Sequence, residues 1–155
     1  MSGYKLTWIT EQLAAGHAPH SYQDLEEIKA HGISSIVNLC SEFKELYEIQ
    51  QETGFAVCFL PTLDECAPDM EKMEAALRWV DRQIAKGRKV LVHCRFGVGR
   101  TGTFVGAYLM RTGLSLKDVE KRLKKNRTNP SNYCQWKLLR KYSIALKTRM
   151  AGRPD

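Results

Sequence analysis

No apolar run in this 155-residue chain approaches the ~18 residues that crossing a bilayer requires. Met1-Ser2-Gly3-Tyr4-Lys5 shows no charged-then-apolar leader either. The five cysteines (Cys40, Cys58, Cys66, Cys94 and Cys134) are an odd set without a C-x-x-C pair. That spacing argues against a disulfide scaffold and a zinc knuckle, and for a reducing compartment. A cytoplasmic location is therefore expected. His17, His20, His31 and His93 lack metal-ligand spacing, so no metal is expected. Internal repeats and low-complexity segments are missing too. A chain of this length buries about two-thirds of its unfolded surface, enough for one domain without crosslinks.

Carboxylates are scarce in one region only. Residues 1–110 carry 11 Lys/Arg and 14 Asp/Glu, whereas residues 111–154 carry 13 Lys/Arg against Asp118 and Glu120. The net charge of +7 is therefore a property of the C-terminal third. Two readings stand: solvated basic helices, or a positive surface that draws anionic substrates.

Patterning predicts short strands at 6–9 and 13–15, then a helix capped by Ser21 that stops at Gly32. A strand over Ile33 to Cys40 follows, then a helix over Glu42 to Glu52. Next come a strand over Phe55 to Leu60 stopped by Pro61, and a loop over 61–68. Pro68 fits the first turn of a helix running to about Lys86, with Asp69 and Glu71 at its positive end. Lys89 to Val92 reads as the last strand, and everything from Thr101 onward reads as helix, in three pieces. This order implies an α/β fold: a mainly parallel sheet of four to five strands, flanked by helices, with a helical C-terminal third.

The most informative stretch is His93-Cys94-Arg95-Phe96-Gly97-Val98-Gly99-Arg100-Thr101-Gly102. It follows the apolar run Val90-Leu91-Val92 and opens a helix. Backbone N–H groups of such a turn converge on one concave space suited to a tetrahedral oxyanion. Glycines let the backbone close around it. Arg100 supplies a planar fork for two phosphate oxygens. The same positive field favours the thiolate of Cys94. Gly97 to Gly102 also fits G-x-G-x-x-G, but no second parallel strand with a ribose-binding acid follows, and a dinucleotide site has no use for Cys94. A Walker loop is excluded because Thr103-Phe104 stands where Lys-Ser/Thr is required.

His-Cys, five residues, then Arg-Thr resembles the signature of the cysteine-dependent protein tyrosine phosphatase superfamily, closest to its small dual-specificity branch. The resemblance implies a single phosphatase domain over residues 1–150 with a frayed tail at 151–155. It implies a phosphomonoester hydrolase acting through a cysteinyl-phosphate, without cofactor or metal, on phosphotyrosine and phosphoserine/threonine. Phosphoprotein or another phosphomonoester would be the partner, and a monomer is expected. Cys94 would attack, Arg95 to Arg100 would bind phosphate, and Thr101 would donate to the sulfur. His93 would brace the loop from below.

Three carboxylates, Asp64, Glu65 and Asp69, lie where the family keeps its proton donor. Asp64 is preferred: it stands thirty residues before Cys94 on the loop after a buried strand, while Asp69 suits a helix start. Arg127 resembles an arginine of a second anion pocket, against a plain solvated face. Gln135 resembles a water-positioning glutamine, against an exposed helix residue. Cys40 resembles a cysteine that pairs with the nucleophile on oxidation in a lipid-phosphatase relative, against a plain buried cysteine. Parallel neighbours would end both cysteines at one sheet edge. Alternatives are a phosphoinositide or RNA 5′-phosphate phosphatase, or a phosphate-binding module without turnover. The first is weakened by Val98, where lipid-directed relatives carry a second lysine, and the last by the presence of cysteine, arginine and acid together.

Overall fold

The computed structural model describes residues 3–151. Five strands and six helices alternate and then give way to helices alone: β1 (Leu6–Trp8), β2 (Leu13–Gly16), α1 (Tyr22–Ala30), β3 (Ile33–Cys40), α2 (Lys44–Glu52), β4 (Ala56–Thr62), α3 (Met70–Ala85), β5 (Lys89–His93), α4 (Gly99–Arg111), α5 (Leu116–Lys125) and α6 (Tyr133–Ala151). The sheet order is β1-β2-β5-β3-β4. Only β1 runs antiparallel to its neighbour. The tail expected to fray lies, from Gly152 onward, outside the described residues. Among those residues no helix is long and apolar enough to cross a membrane.

The period of two along each strand sends alternate side chains to opposite faces. Val90 and Val92 join the cluster covered by α3 to α6, while Leu91 joins the one covered by α1. Val37 and Leu39 against Ile36 divide in the same way. With both faces covered, β5 is buried over Val90 to His93, which is why it reads as an unbroken apolar run. Register aligns Gly16 of β2 and Asn38 of β3 with His93 of β5. The carboxyl ends of three strands thus meet at one edge, where open parallel sheets bind ligands. Cys40 and Cys94 do leave neighbouring strands at that edge.

Several boundaries differ from expectation. β4 continues through Pro61 to Thr62; it is an edge strand, so a missing N–H costs no ladder bond. Pro68 precedes the cap rather than opening the helix: Asp69 itself caps α3, accepting from Lys72 N at 3.0 Å. α2 starts at Lys44, preceded by Phe43 in a non-helical conformation at φ -119, while the Glu42 carboxylate turns to Arg100. The Ser21 and Ser115 hydroxyls cap α1 and α5 by accepting from Asp24 N and Asp118 N.

Glu74 locks the helical layer. Its carboxylate, 8% exposed, accepts from Arg111 at 2.7 Å, Arg149 at 2.9 Å and the Tyr142 hydroxyl, joining α3, α4 and α6. Burial alone would raise its pKa; the bonds from Tyr142 and Arg149 and the charge of Arg111 outweigh that and hold it below the ordinary 4.5. A depressed folded-state value stabilises above the unfolded value and is lost as pH falls through the folded one. Glu74→Gln should therefore cost about 3 kcal/mol near neutrality. The gap in melting temperature between wild type and variant should close as pH drops below 4.5. A pH-independent gap would contradict the assignment.

Candidate active site

Buried β5 delivers His93 and then Cys94 to the sheet edge, where Cys94 is 3% exposed. The loop that follows is shaped by its neighbours. Gly97 has φ +78, and a Cβ there would meet the Gly16 backbone at 2.6 Å, so only glycine fits. Gly102 presses as closely on the Asn129 backbone, with a Cβ meeting it at 2.5 Å. The Arg95 carbonyl accepts from Ala18 N at 3.0 Å, and the Gly97 carbonyl accepts from Thr128 Oγ1 at 2.7 Å. Trans peptides point N–H opposite to C=O, so the amides of Phe96 and Val98 turn away from these supports. The loop closes on a cavity of about 100 Å³ lined by Cys94, Phe96, Val98, Gly99 and Arg100, with Asp64, Glu65, Ser131 and Gln135 across from them.

Thr101 donates to Cys94 Sγ at 3.0 Å from the first turn of α4. α4 begins at Gly99, two residues before the sequence suggests, which places Arg100 inside that turn. His93 is fully buried, and burial pushes its pKa down to about 4. Its neutral ring closes a chain: Asn38 Nδ2 donates to Gln50 Oε1 at 3.1 Å, and Gln50 Nε2 donates to His93 Nε2 at 2.9 Å. That assigns the remaining proton to Nδ1, which lies 3.3 Å from the Cys94 carbonyl. Cys40 Sγ lies 3.7 Å from the same nitrogen. Burial, reinforced by the Glu42 charge, pushes the Cys40 thiol up to about 12.

Arg100 is 2% exposed and heavily committed. Its two terminal nitrogens donate to the two Glu42 oxygens at 2.8 Å each, and one also donates to the Thr62 carbonyl at 2.8 Å. Burial alone would favour its neutral form, but the bonds to Glu42 reverse this and raise its pKa. The same bonds hold the Glu42 carboxyl below its ordinary range. Nε of Arg100 is buried without a hydrogen-bond partner. Asp64, half-exposed at 56%, stands 3.6 Å from the guanidinium at the cavity mouth.

Gln135 is buried and lines the cavity, so it is not an exposed helix residue. Its amide accepts from Ser131 N at 2.7 Å and donates to the Cys66 carbonyl at 3.0 Å. Glu65 also faces the cavity, in a left-handed conformation at φ 65. Asp69 is spent on its cap. Arg95 is exposed and covers the Phe96 ring at 5.0 Å. Arg127 is exposed after α5 at φ 55 and does not line this cavity. Glu42, Asn38, Gln50 and Ser131 escaped the sequence reading. An acid just past the strand parallel to the cysteine's own was the one available hint of Glu42. Among the described residues no cluster of three or more His, Cys, Asp or Glu could hold a metal.

A cysteine and arginine loop at the carboxyl edge of a five-stranded sheet, with a helical tail behind it, defines the cysteine-based phosphatases. Within that class, the chain belongs to the PTP-SAK family, the Swiss Army Knife protein DSP-PTPase phosphatase domain, whose model matches residues 5–150. The structure of Tk-PTP in its active form superposes with a TM-score of 0.82 at 28% identity, covering 90% of this chain and 96% of that one. The dual specificity protein phosphatase Mpk3 of Drosophila melanogaster is 30% identical over 109 residues, 69% of this chain and 26% of the relative. The phosphatidylglycerophosphate phosphatase PTPMT1 of Arabidopsis thaliana is 27% identical over 106 residues, 66% and 31% of the two chains. The chain thus spans between about a quarter and a third of these two curated relatives.

Proposed function

We propose that this chain hydrolyses phosphomonoesters through a cysteinyl-phosphate, acting on phosphotyrosine and phosphoserine/threonine of proteins. One observation carries the reading: Cys94, whose Sγ accepts from the Thr101 hydroxyl at 3.0 Å, and buried Arg100, whose Nε is unpaired, line one small cavity. Cys94 attacks phosphorus in line while Arg100 and the loop amides hold the equatorial oxygens. Asp64 gives its proton to the leaving oxygen. It then takes one from the water that splits the phosphocysteine, and Thr101 stabilises the departing sulfur. Glu42 positions Arg100, and the chain from Asn38 through Gln50 to His93 positions the Cys94 carbonyl. His93 carries no proton in the reaction. A lipid-headgroup reading rests on the likeness to PTPMT1 and on the basic C-terminal third; the absence of a lysine at Val98 weighs against it.

The test compares an aryl phosphate, phosphotyrosyl and phosphothreonyl peptides and a soluble phosphoinositide. Peptides turned over faster than the phosphoinositide support the protein reading, and the reverse order rejects it. Asp64→Ala should lower kcat on a poor leaving group by about 10²–10⁴-fold. It should flatten the basic limb of the pH profile, keep the acid limb, and do less harm with a good leaving group. Undiminished activity would move the acid role to Glu65, the other carboxylate facing the cavity.

Redox sensitivity belongs to the same proposal. Peroxide oxidises Cys94 to a sulfenic acid, and the Cys40 thiol condenses with it, forming the S–S bond and releasing water. A peptide map after mild oxidation should show Cys40 joined to Cys94; sulfinic acid alone at Cys94 would reject the pairing.

A further inference from the structure

A second cleft, of about 370 Å³, opens between the N-terminal ends of α1 and α2. Pro19, Leu25, Phe43, Leu46 and Ile49 give it an apolar wall. Tyr22 stands 64% exposed at its lip. Nothing in the reaction described above uses it.

Two connections place this cleft beside the phosphate loop. His20, on its wall, is two residues from Ala18, whose N–H is bonded to the Arg95 carbonyl. Two residues span at most ~7 Å. Phe43, on the opposite wall, directly follows Glu42, whose carboxylate holds Arg100. A short extended peptide with its phosphate over Cys94 therefore reaches the cleft within a few residues.

Charge selects the occupant. Among the described residues no Lys or Arg lines the cleft, and Glu42, next to its wall, is already paired to Arg100. Glu45 itself lines the cleft. An anionic bilayer or a nucleic acid is repelled by such a face, whereas an apolar side chain next to a basic one is welcomed.

We infer that this cleft is a substrate-specificity subsite that takes an apolar side chain of a phosphopeptide, with a basic residue beside it paired to Glu45. The inference rests on the hydrolase reading for its use in turnover, but the subsite itself is tested by binding. Phosphotyrosyl peptides carrying Leu-Arg or Ala-Glu at each nearby position are titrated against Cys94→Ser and assayed with wild type. Leu46→Arg and Glu45→Lys are run alongside, and para-nitrophenyl phosphate serves as the reference substrate.

The Leu-Arg peptides should bind and react about 10-fold or more better than Ala-Glu peptides, through KM. Leu46→Arg should abolish the preference and Glu45→Lys should reduce it, with para-nitrophenyl phosphate turnover unchanged in both. That unchanged turnover also reports that the variants fold. Equal binding of the two peptide sets, or a preference that survives Leu46→Arg, overturns the inference. So does binding to anionic phosphatidylserine vesicles that Leu46→Glu removes, which would assign the cleft to lipid. A binding preference without any turnover supports the subsite and rejects the hydrolase reading, so the two fail separately.

Discussion

Replacing Cys94 by serine is expected to lower phosphate ester hydrolysis by about 10⁴–10⁶-fold while leaving melting temperature and peptide binding intact. A serine hydroxyl needs an adjacent base to become a nucleophile. Among the described residues no base is hydrogen-bonded to the residue 94 side chain: its sulfur is met by the Thr101 hydroxyl, and Asp64 serves the leaving oxygen in the proposed reaction. Both nitrogens of His93 are engaged, one with Gln50 and the other facing the Cys94 carbonyl at 3.3 Å rather than the sulfur. Its pKa near 4 leaves it a weak base besides. The Thr101 hydroxyl is a donor to the sulfur, not a proton acceptor. Burst kinetics with an aryl phosphate should show one equivalent of phenol released in the wild type and none in the variant. Residual serine activity above a hundredth of wild type would mean that a base had been overlooked.

Arg100→Lys should cost about 10³–10⁵-fold, far more than a change that preserves charge suggests. The guanidinium does several jobs at once. Two nitrogens grip Glu42, one of them also bonds the Thr62 carbonyl, and Nε remains for an oxyanion. An ammonium is a single point charge and cannot match that fork. It would also leave the Glu42 carboxylate partly freed beside the cavity, where it repels a phosphate dianion. Inorganic phosphate should consequently bind Arg100→Lys more weakly, measured as competitive inhibition. A loss under 10-fold, with phosphate affinity unchanged, would remove Arg100 from the site.

What could be read from the chain and what could not divide along one physical line. β5 and its loop were legible because their signals are local: an apolar run, glycines at a tight turn, and a helix after it. Ser21 marked a helix start for the same reason. The meeting of Cys40 and Cys94 at one edge followed from parallel strands. Glu42 was misread as part of α2, since helical spacing continues through it and only Arg100, 58 positions away, reveals its use. The bonds from Asn38 to Gln50 to His93 join three elements, so no window of sequence contains them. Pro61 misled because whether a strand lies at an edge is a property of the whole sheet. The role of Gln135 was suggested by resemblance alone; its burial against Ser131 and Cys66 depends on how α6 docks.

The contact between Gly97 and Gly16 has a practical corollary. Because two main chains touch there, the curve of the cysteine loop is moulded by β2 as much as by its own residues. Transplanting the ten residues from His93 to Gly102 onto a foreign strand–helix junction would carry over the chemistry without the mould. A trimmed version of this protein lacking its first two strands would suffer the same defect.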